Sequence, residues 1–204
     1  MMIQGVSINE MISQSMTVLT KPSVATFEEY ERRGGQREAM TYVAIAAAIG
    51  AVVALLFGFL GGITTAIISG VVAFIMPVVS FFISASLIHW IGTRQGGTGS
   101  KDEVFYTMGL FMAPILAING AVSNIPILGC LAFPLTLALG IYQIYLGYLA
   151  VRSSMNLDQN KAIITMVLAF IAQVVIAAIF GFVLAAIGIG SGAIPVNPTT
   201  PPTP

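Results

Sequence analysis

The sequence predicts an all-α fold: a polytopic membrane helix bundle of five transmembrane helices, preceded by a short amphipathic, cytoplasmic helical segment. Composition is the first reason, since 57% of the 204 residues are hydrophobic and only 8% are charged. A typical soluble domain carries about 25% charged residues, and the mean hydropathy here is +0.95. So few charges cannot cover a water-exposed surface, and the predicted solvent is therefore lipid.

The spacing of the charges is the second reason, because three long windows contain no Asp, Glu, Lys or Arg. They cover residues 39–93, 104–151 and 162–204, which are 55, 48 and 43 residues long. A helical span needs about 20 residues, so the first two windows each hold two spans and the third holds one. The predicted spans are 39–60, 64–91, 103–123, 127–151 and 162–189.

The lack of strand periodicity is the third reason. Membrane β-strands alternate polar and apolar residues, whereas these windows are apolar all round, as lipid-facing helices are. The helix breakers between paired spans are Gly61-Gly62 and Asn124-Ile125-Pro126. We therefore divide the chain into a cytoplasmic segment over 1–38 with short interfacial helices, a five-span domain over 39–189, and a disordered, proline-rich extracytoplasmic tail over 190–204.

The basic residues predict the orientation, because cytoplasmic connections of membrane proteins carry an excess of Lys and Arg. With the N-terminus inside, all eight become cytoplasmic: Lys21, Arg32, Arg33, Arg37, Arg94, Lys101, Arg152 and Lys161. Five aromatic residues are expected to anchor the cytoplasmic helix ends at the headgroups: Tyr42, Trp90, Tyr106, Tyr145 and Tyr148. The start of the chain lacks the features of a cleavable signal peptide. We expect a multi-pass protein, in the inner or plasma membrane if prokaryotic, with a cytoplasmic N-terminus and an extracytoplasmic C-terminus.

Two short helices are predicted ahead of the first span. Ser7-Ile8-Asn9-Glu10 has the form of a capping box, and the apolar residues that follow it recur on one helical face, which favours a helix lying on the inner leaflet. These residues are Ile8, Met11, Ile12, Met16 and Leu19. A second start signal, Thr26-Phe27-Glu28-Glu29, predicts a turn or two of helix that ends before Gly34-Gly35.

No catalytic, cofactor or metal site is expected. The connection GTRQGGTGSKDE resembles a phosphate-binding loop only in composition, because Ser100 precedes Lys101 instead of following it. The single histidine, His89, has no acid or base within the spans to act with, although Ser86 lies three residues away on the same face. One cysteine, Cys130, excludes an internal disulfide and a multi-cysteine metal cluster. The zero net charge gives no hint of a nucleic-acid partner.

Small and polar residues within the spans are the remaining candidates. Small residues four apart let helices approach closely, and polar groups in lipid more often bond a neighbouring helix than a substrate. Proline frees a backbone carbonyl, which transporters use in substrate sites but which also occurs in ordinary spans. The residues predicted for helix packing or for a transport path are Gly58, Gly62, Ser80, Ser84, Pro77, Pro114, Asn119 and Gln143.

Four stretches of the chain together resemble the Yip family, the Ypt-interacting-protein domain. They are Pro22 with Phe27, the connection GGTGSKDEVFYTMGL, Gly109-Leu110 followed by Pro114, and IYQIYLGYLAVRSSMNLDQNKA ending at Ala162. Many members have Gly-Tyr before that proline, so Leu110 departs from the pattern. The resemblance covers residues 22–189 and implies five spans with a cytoplasmic N-terminus.

The resemblance also bears on partners. Eukaryotic members of the family associate with Rab-type GTPases in vesicle traffic, but the arm here is short and shows no docking motif, so a GTPase partner is doubtful. We interpret the chain as a prokaryotic-type member. We expect a non-enzymatic scaffold, complex subunit or membrane-organising protein whose partners are the lipid bilayer and other membrane proteins or itself. The alternative is a small-molecule permease.

Overall fold

The computed structural model describes residues 5–125 and 129–186, and seven α-helices account for most of them. In chain order they are α1 (Ile8–Thr20), α2 (Val24–Tyr30), α3 (Gln36–Gly58), α4 (Ile63–Arg94), α5 (Lys101–Ser123), α6 (Gly129–Ser154) and α7 (Gln159–Ala186). Helices α3 to α7 are long and apolar enough to cross a membrane. This confirms the predicted helical membrane bundle, whereas the predicted tail over 190–204 lies outside the described residues.

Helix starts differ from the predicted ones because of local capping. Helix α3 begins at Gln36 because the Glu38 carboxylate accepts from the Gly35 N–H at 3.0 Å. Helix α2 begins at Val24, since Ser23 Oγ accepts from the Thr26 N–H at 3.1 Å. A side-chain cap satisfies an otherwise orphaned N–H, so each helix starts at its cap and not at the first apolar residue.

Helix α5 lies at the centre of the bundle. In its most apolar window 56% of the residues are buried, compared with 17% for α4 and for α7. Two edge-to-face ring pairs fix its neighbours: Phe111 packs on Phe27 of α2 with centroids 6.2 Å apart, and Phe105 packs on Phe81 of α4 at 5.7 Å. The other spans are therefore arranged around α5 and expose most of their apolar surface.

Helices α3 and α5 cross at a pair of glycines. A Cβ added to Gly120 would lie 2.9 Å from the Gly50 Cα, and one added to Gly50 would lie 3.1 Å from the Gly120 Cα. Such distances are closer than van der Waals contact, so the backbones approach as only glycine permits. This crossing holds the first span against the central helix.

All sixteen charged residues, eight acidic and eight basic, lie at one end of the bundle. They occupy α1, α2, the starts of α3, α5 and α7, the ends of α4 and α6, and the connections between them. Two connections are joined there, since the Thr98 N–H donates to the Met155 carbonyl at 3.0 Å. We call this region the charged end.

Two of the aromatic residues predicted as interfacial anchors are instead core residues. Tyr106 is fully buried and Tyr42 is 7% exposed. The prediction was wrong because helices α1 and α2 pack over the charged end of the bundle and cover both rings. Trp90 fits the prediction better, since it is exposed and its ring lies 4.0 Å from the Arg94 guanidinium.

The α3–α5 crossing gives a test of the packing. We expect Gly120→Val to destabilise the bundle by about 1–3 kcal/mol, because its side chain must displace the backbone of α3. Unfolding of the purified protein in mixed detergent micelles measures the change. Gly181→Val is the matched control, because a Cβ at Gly181 meets nothing within 4 Å. Equal stability of the two variants would contradict the close crossing.

Candidate functional site

The main candidate site is a cleft among α4, α5, α6 and α7 with a volume of about 530 Å³. Most of its lining is apolar, and it opens on one side toward the surroundings of the bundle. Five polar side chains also line it: Ser80, Ser84, Thr136, Gln143 and Gln173. Among the described residues that form the cleft, none is charged.

A smaller cavity of about 150 Å³ adjoins the cleft, between α3, α4, α5 and α6. The two spaces have Ser80, Met112 and Gln143 in common, and the smaller one adds Asn119 and Pro77. Ser80 and Gln143 therefore line both spaces and lie between the cleft and the smaller cavity.

Two acceptor oxygens at these cavities lack a hydrogen-bond donor. The Gln173 amide Nε2 donates to Ser80 Oγ at 2.8 Å and ties α7 to α4. Its Oε1 is buried without a partner, and so is Asn119 Oδ1. A buried polar atom without a partner destabilises by about 1–3 kcal/mol, and hydrocarbon supplies no water to relieve it. Two buried polar atoms at the cleft and its side cavity therefore have no hydrogen-bond partner.

The structure brings together five of the eight residues singled out from the sequence. Those that line the cleft or its side cavity are Ser80, Ser84, Pro77, Asn119 and Gln143. Gln173, whose amide bonds across the cleft, was not among the eight. It is a lone amide in an otherwise apolar span, and this was the signal that could have identified it.

The other three residues lie elsewhere. Gly58 is at the approach of α3 to α4, where an added Cβ would be 2.6 Å from the Ala66 Cα. Gly62 ends the turn between these helices with φ of +99°, a conformation that favours glycine, and open space surrounds it. Pro114 lies inside α5 and is half-buried, away from both cavities.

The cleft can hold a neutral molecule but offers no acid or base. The described residues contain no group of three or more His, Cys, Asp or Glu side chains placed to hold a metal ion. The Ser86 hydroxyl is buried with no hydrogen-bond partner, so it is not paired with His89 as a catalytic dyad would require. Recognition in the cleft therefore depends on amides and hydroxyls.

The second notable region is the N-terminal arm, which we define as α1 and α2, docked on the bundle at the charged end. The Tyr106 hydroxyl donates to Gln14 Oε1 at 2.7 Å, and the Tyr142 hydroxyl donates to the Leu19 carbonyl at 2.6 Å. Both bonds join α1 to spans. Helix α2 is held by the fully buried ring of Phe27. The arm is thus part of the bundle.

This docking changes which face of α1 is buried. Met11, Gln14, Ser15 and Val18 are buried, and they follow a spacing of three and four residues along one helical face. Ile12 and Met16 were predicted on the apolar face with Met11, but they remain 48% and 56% exposed. Helix α1 therefore has a buried face against the bundle and a separate exposed apolar edge.

A buried carboxylate lies between the N-terminal arm and the bundle. Glu31, just after α2, is 5% exposed, and its Oε2 accepts from the Ser153 hydroxyl at 2.7 Å. Burial raises the pKa of the Glu31 carboxyl, and nearby Glu103 adds to that rise, while the Ser153 hydrogen bond and Arg32 oppose it. Arg32 is in turn paired with Glu103, at 3.1 Å.

The raised pKa of Glu31 predicts a pH dependence of stability. The folded protein holds the Glu31 proton more tightly than the unfolded chain, so stability decreases as pH rises from the ordinary glutamate range through the raised pKa. Glu31→Gln keeps an acceptor for Ser153 but removes the charge. We expect this variant to be the more stable above that window and to lose this decrease, as measured by thermal unfolding in detergent across pH. Exposed Glu29→Gln is the control, and a Glu31→Gln profile parallel to that of the parent would contradict the prediction.

Comparison with known families identifies the chain. The Yip1 domain model matches residues 16–181, from within α1 to α7. No curated protein and no solved structure matches. The match does not separate prokaryotic-type from other members, so that part of the expectation stays a prediction. Because the match covers most of the chain, the protein belongs to the Yip1 domain family of multi-pass membrane proteins.

Proposed function

We propose that this protein is a non-enzymatic, membrane-organising member of its family that acts by association, as a scaffold or complex subunit that also shapes the bilayer. The proposal is supported by the cleft and its side cavity, whose described lining carries no charge. Among the described residues there is also no group of three or more His, Cys, Asp or Glu side chains placed to hold a metal ion. The proposal is supported equally by the mostly exposed spans α4 and α7, whose apolar faces are available to lipids and to spans of neighbouring proteins.

The observation that carries the proposal is the exposed apolar edge of α1. The helix is fixed at the charged end by Gln14 and Leu19, and it presents Ile12 and Met16 to the outside. On the far edge of its exposed face, about 100° around the helix, lie the polar residues Ser13 and Thr17. A helix with one apolar and one polar edge lies in the headgroup layer, with its apolar side chains inserted among the acyl chains.

Two additional helices lie at the charged end of the bundle. This end carries α1, α2 and two connections, whereas α3 and α4 are joined at the opposite end by a short turn over Phe59–Gly62. In this proposal α1 and α2 add area to the leaflet at the charged end. Unequal leaflet area favours curvature toward the larger side, which is how such a shape organises a membrane.

The basic residues supply contacts to anionic headgroups in this proposal. Within the described part of the chain, ion pairs involve only Arg32 and Arg33. The other six basic side chains have no carboxylate partner there, although the charged end also carries eight acidic residues and is neutral overall. Because cytoplasmic connections of membrane proteins are rich in Lys and Arg, we propose that the charged end lies at the cytoplasmic leaflet.

The permease alternative has less support. The cavities that contain Asn119 and Gln143 are lined without charges, so their described residues offer no acidic or basic side chain for coupling transport to a proton gradient. Solute flux across liposomes that is stopped by Asn119→Leu or Gln143→Leu would favour transport over the proposed role.

The edge of α1 gives the direct test. About half of each side chain is free to insert, so Ile12 and Met16 together contribute roughly 1.5–3 kcal/mol to insertion. We expect the wild-type protein to reduce the diameter of anionic lipid vesicles seen by electron cryomicroscopy, and Ile12→Gln with Met16→Gln to lose at least half of this effect. Ser13→Gln with Thr17→Gln, on the polar edge, should behave as the wild type. If the two double variants act alike, α1 does not shape the bilayer.

Orientation has its own test, in a background where Cys130→Ala removes the native thiol. Gln159→Cys places a thiol in an exposed position at the charged end, and Leu60→Cys places one in the opposite turn, where the side chain is 80% exposed. A membrane-impermeant maleimide added to intact cells should label only the Leu60→Cys variant, and permeabilisation should expose Gln159→Cys. The reverse pattern would place the charged end outside.

A further inference from the structure

The size of the cleft limits what it can hold. Its volume of about 530 Å³ falls inside the roughly 300–1,000 Å³ range of small-molecule sites. It is therefore large enough for a small molecule.

The polar groups of the cleft lie deep within the spans. Gln173 is fourteen residues from the start of α7 and Ser80 is fourteen from the end of α4, which at 1.5 Å per residue is roughly 21 Å from the charged end. Nearer to that end the wall is apolar, formed by Ile88, Met108 and Met166. A ligand must therefore place its polar group near the middle of the membrane, with an apolar part along this wall.

The chemistry of the polar groups selects the ligand further. The lining side chains are amides and hydroxyls without charge, so an ionised headgroup would be buried there without a counter-ion at a large cost in free energy. One amide atom each of Gln173 and Asn119 is buried without a partner. A hydroxyl can donate to an amide oxygen or accept from an amide nitrogen, so a neutral molecule with hydroxyl groups fits these side chains.

We propose that the cleft binds a neutral lipid alcohol, such as a monoacylglycerol. One hydroxyl donates to Gln173 Oε1, and the acyl chain lies along the wall of Ile88, Met108 and Met166. Such a molecule supplies hydroxyl groups, one chain and no charge. This inference is independent of the role of α1 and goes beyond the proposed function.

The test uses the purified full chain in phosphatidylcholine nanodiscs with a monoacylglycerol that carries a diazirine in its acyl chain. Photolabelling followed by peptide mapping should place the label on α4, α5 or α7 at the cleft. Unlabelled monooleoylglycerol should compete. The two matched competitors are lysophosphatidic acid, which adds a charge to the same chain, and diacetylated monooleoylglycerol, which removes both donors; each should compete about tenfold less well.

Three variants distinguish a loss of lipid binding in the cleft from a loss of folding. A Cβ at Gly140 meets nothing within 4 Å, and this residue lines the cleft, so Gly140→Leu should fill the space and abolish labelling without disturbing the bundle. Gly181→Leu, at an open position outside the cleft, should label as the parent does. Gln173→Leu should remove the preference for the hydroxylated over the acetylated lipid, a change that a merely structural role of Gln173 would not produce.

The opposite results would overturn the proposal. Equal competition by the charged or the acetylated lipid would mean that the cleft accepts any acyl chain. The Gly140→Leu protein must first elute as a single species and unfold like Gly181→Leu. If its labelling is then undiminished, the lipid binds elsewhere. Neither result would affect the vesicle-diameter test of α1, so failure of the lipid site and failure of the proposed function are distinguishable.

Discussion

The constraint on which the rest of the structure depends is that an ionised side chain is roughly 2.5–3.5 kcal/mol unfavourable at the centre of a membrane helix. The chain meets it by placing all sixteen charges at one end. At that end, several acidic side chains accept hydrogen bonds from the backbone at the starts of helices. Glu38 and Glu103 close the caps of α3 and α5, and Asp102 accepts from the Gln36 N–H at 2.9 Å. The charged side chains that lipid excludes thus hold the helix starts together at the charged end.

Helix α5 connects that surface to the membrane interior. Its first turns receive the arm through Tyr106, its middle carries the ring pairs with α2 and α4, and Gly120 sets its crossing with α3. The Yip1 domain match begins within α1, at residue 16. The arm therefore belongs in part to the domain itself, which agrees with its packing as an integral layer and not as a flexible leader.

The spans were predictable from the sequence because hydrocarbon imposes one rule on every residue of a span, and a window without charge reveals it directly. The arm was harder to predict. Its apolar residues recur over more than one face, and which face is buried depends on the Tyr106–Gln14 bond, whose partners are 92 residues apart. The cleft shows the same limit: Ser80 and Gln143 were evident as polar residues in spans, but the Gln173–Ser80 bond joins positions 93 residues apart. Local sequence patterns do not show which distant residues bond to each other.

The cleft and the arm are not isolated from each other, because one side chain belongs to both. Phe111 lines the cleft on one side, and on the other its ring packs against Phe27 of α2. Close-packed interiors transmit displacement instead of absorbing it. A molecule that enters the cleft touches the ring on which the arm rests, so the shortest physical path from the membrane interior to the charged end passes through this aromatic pair.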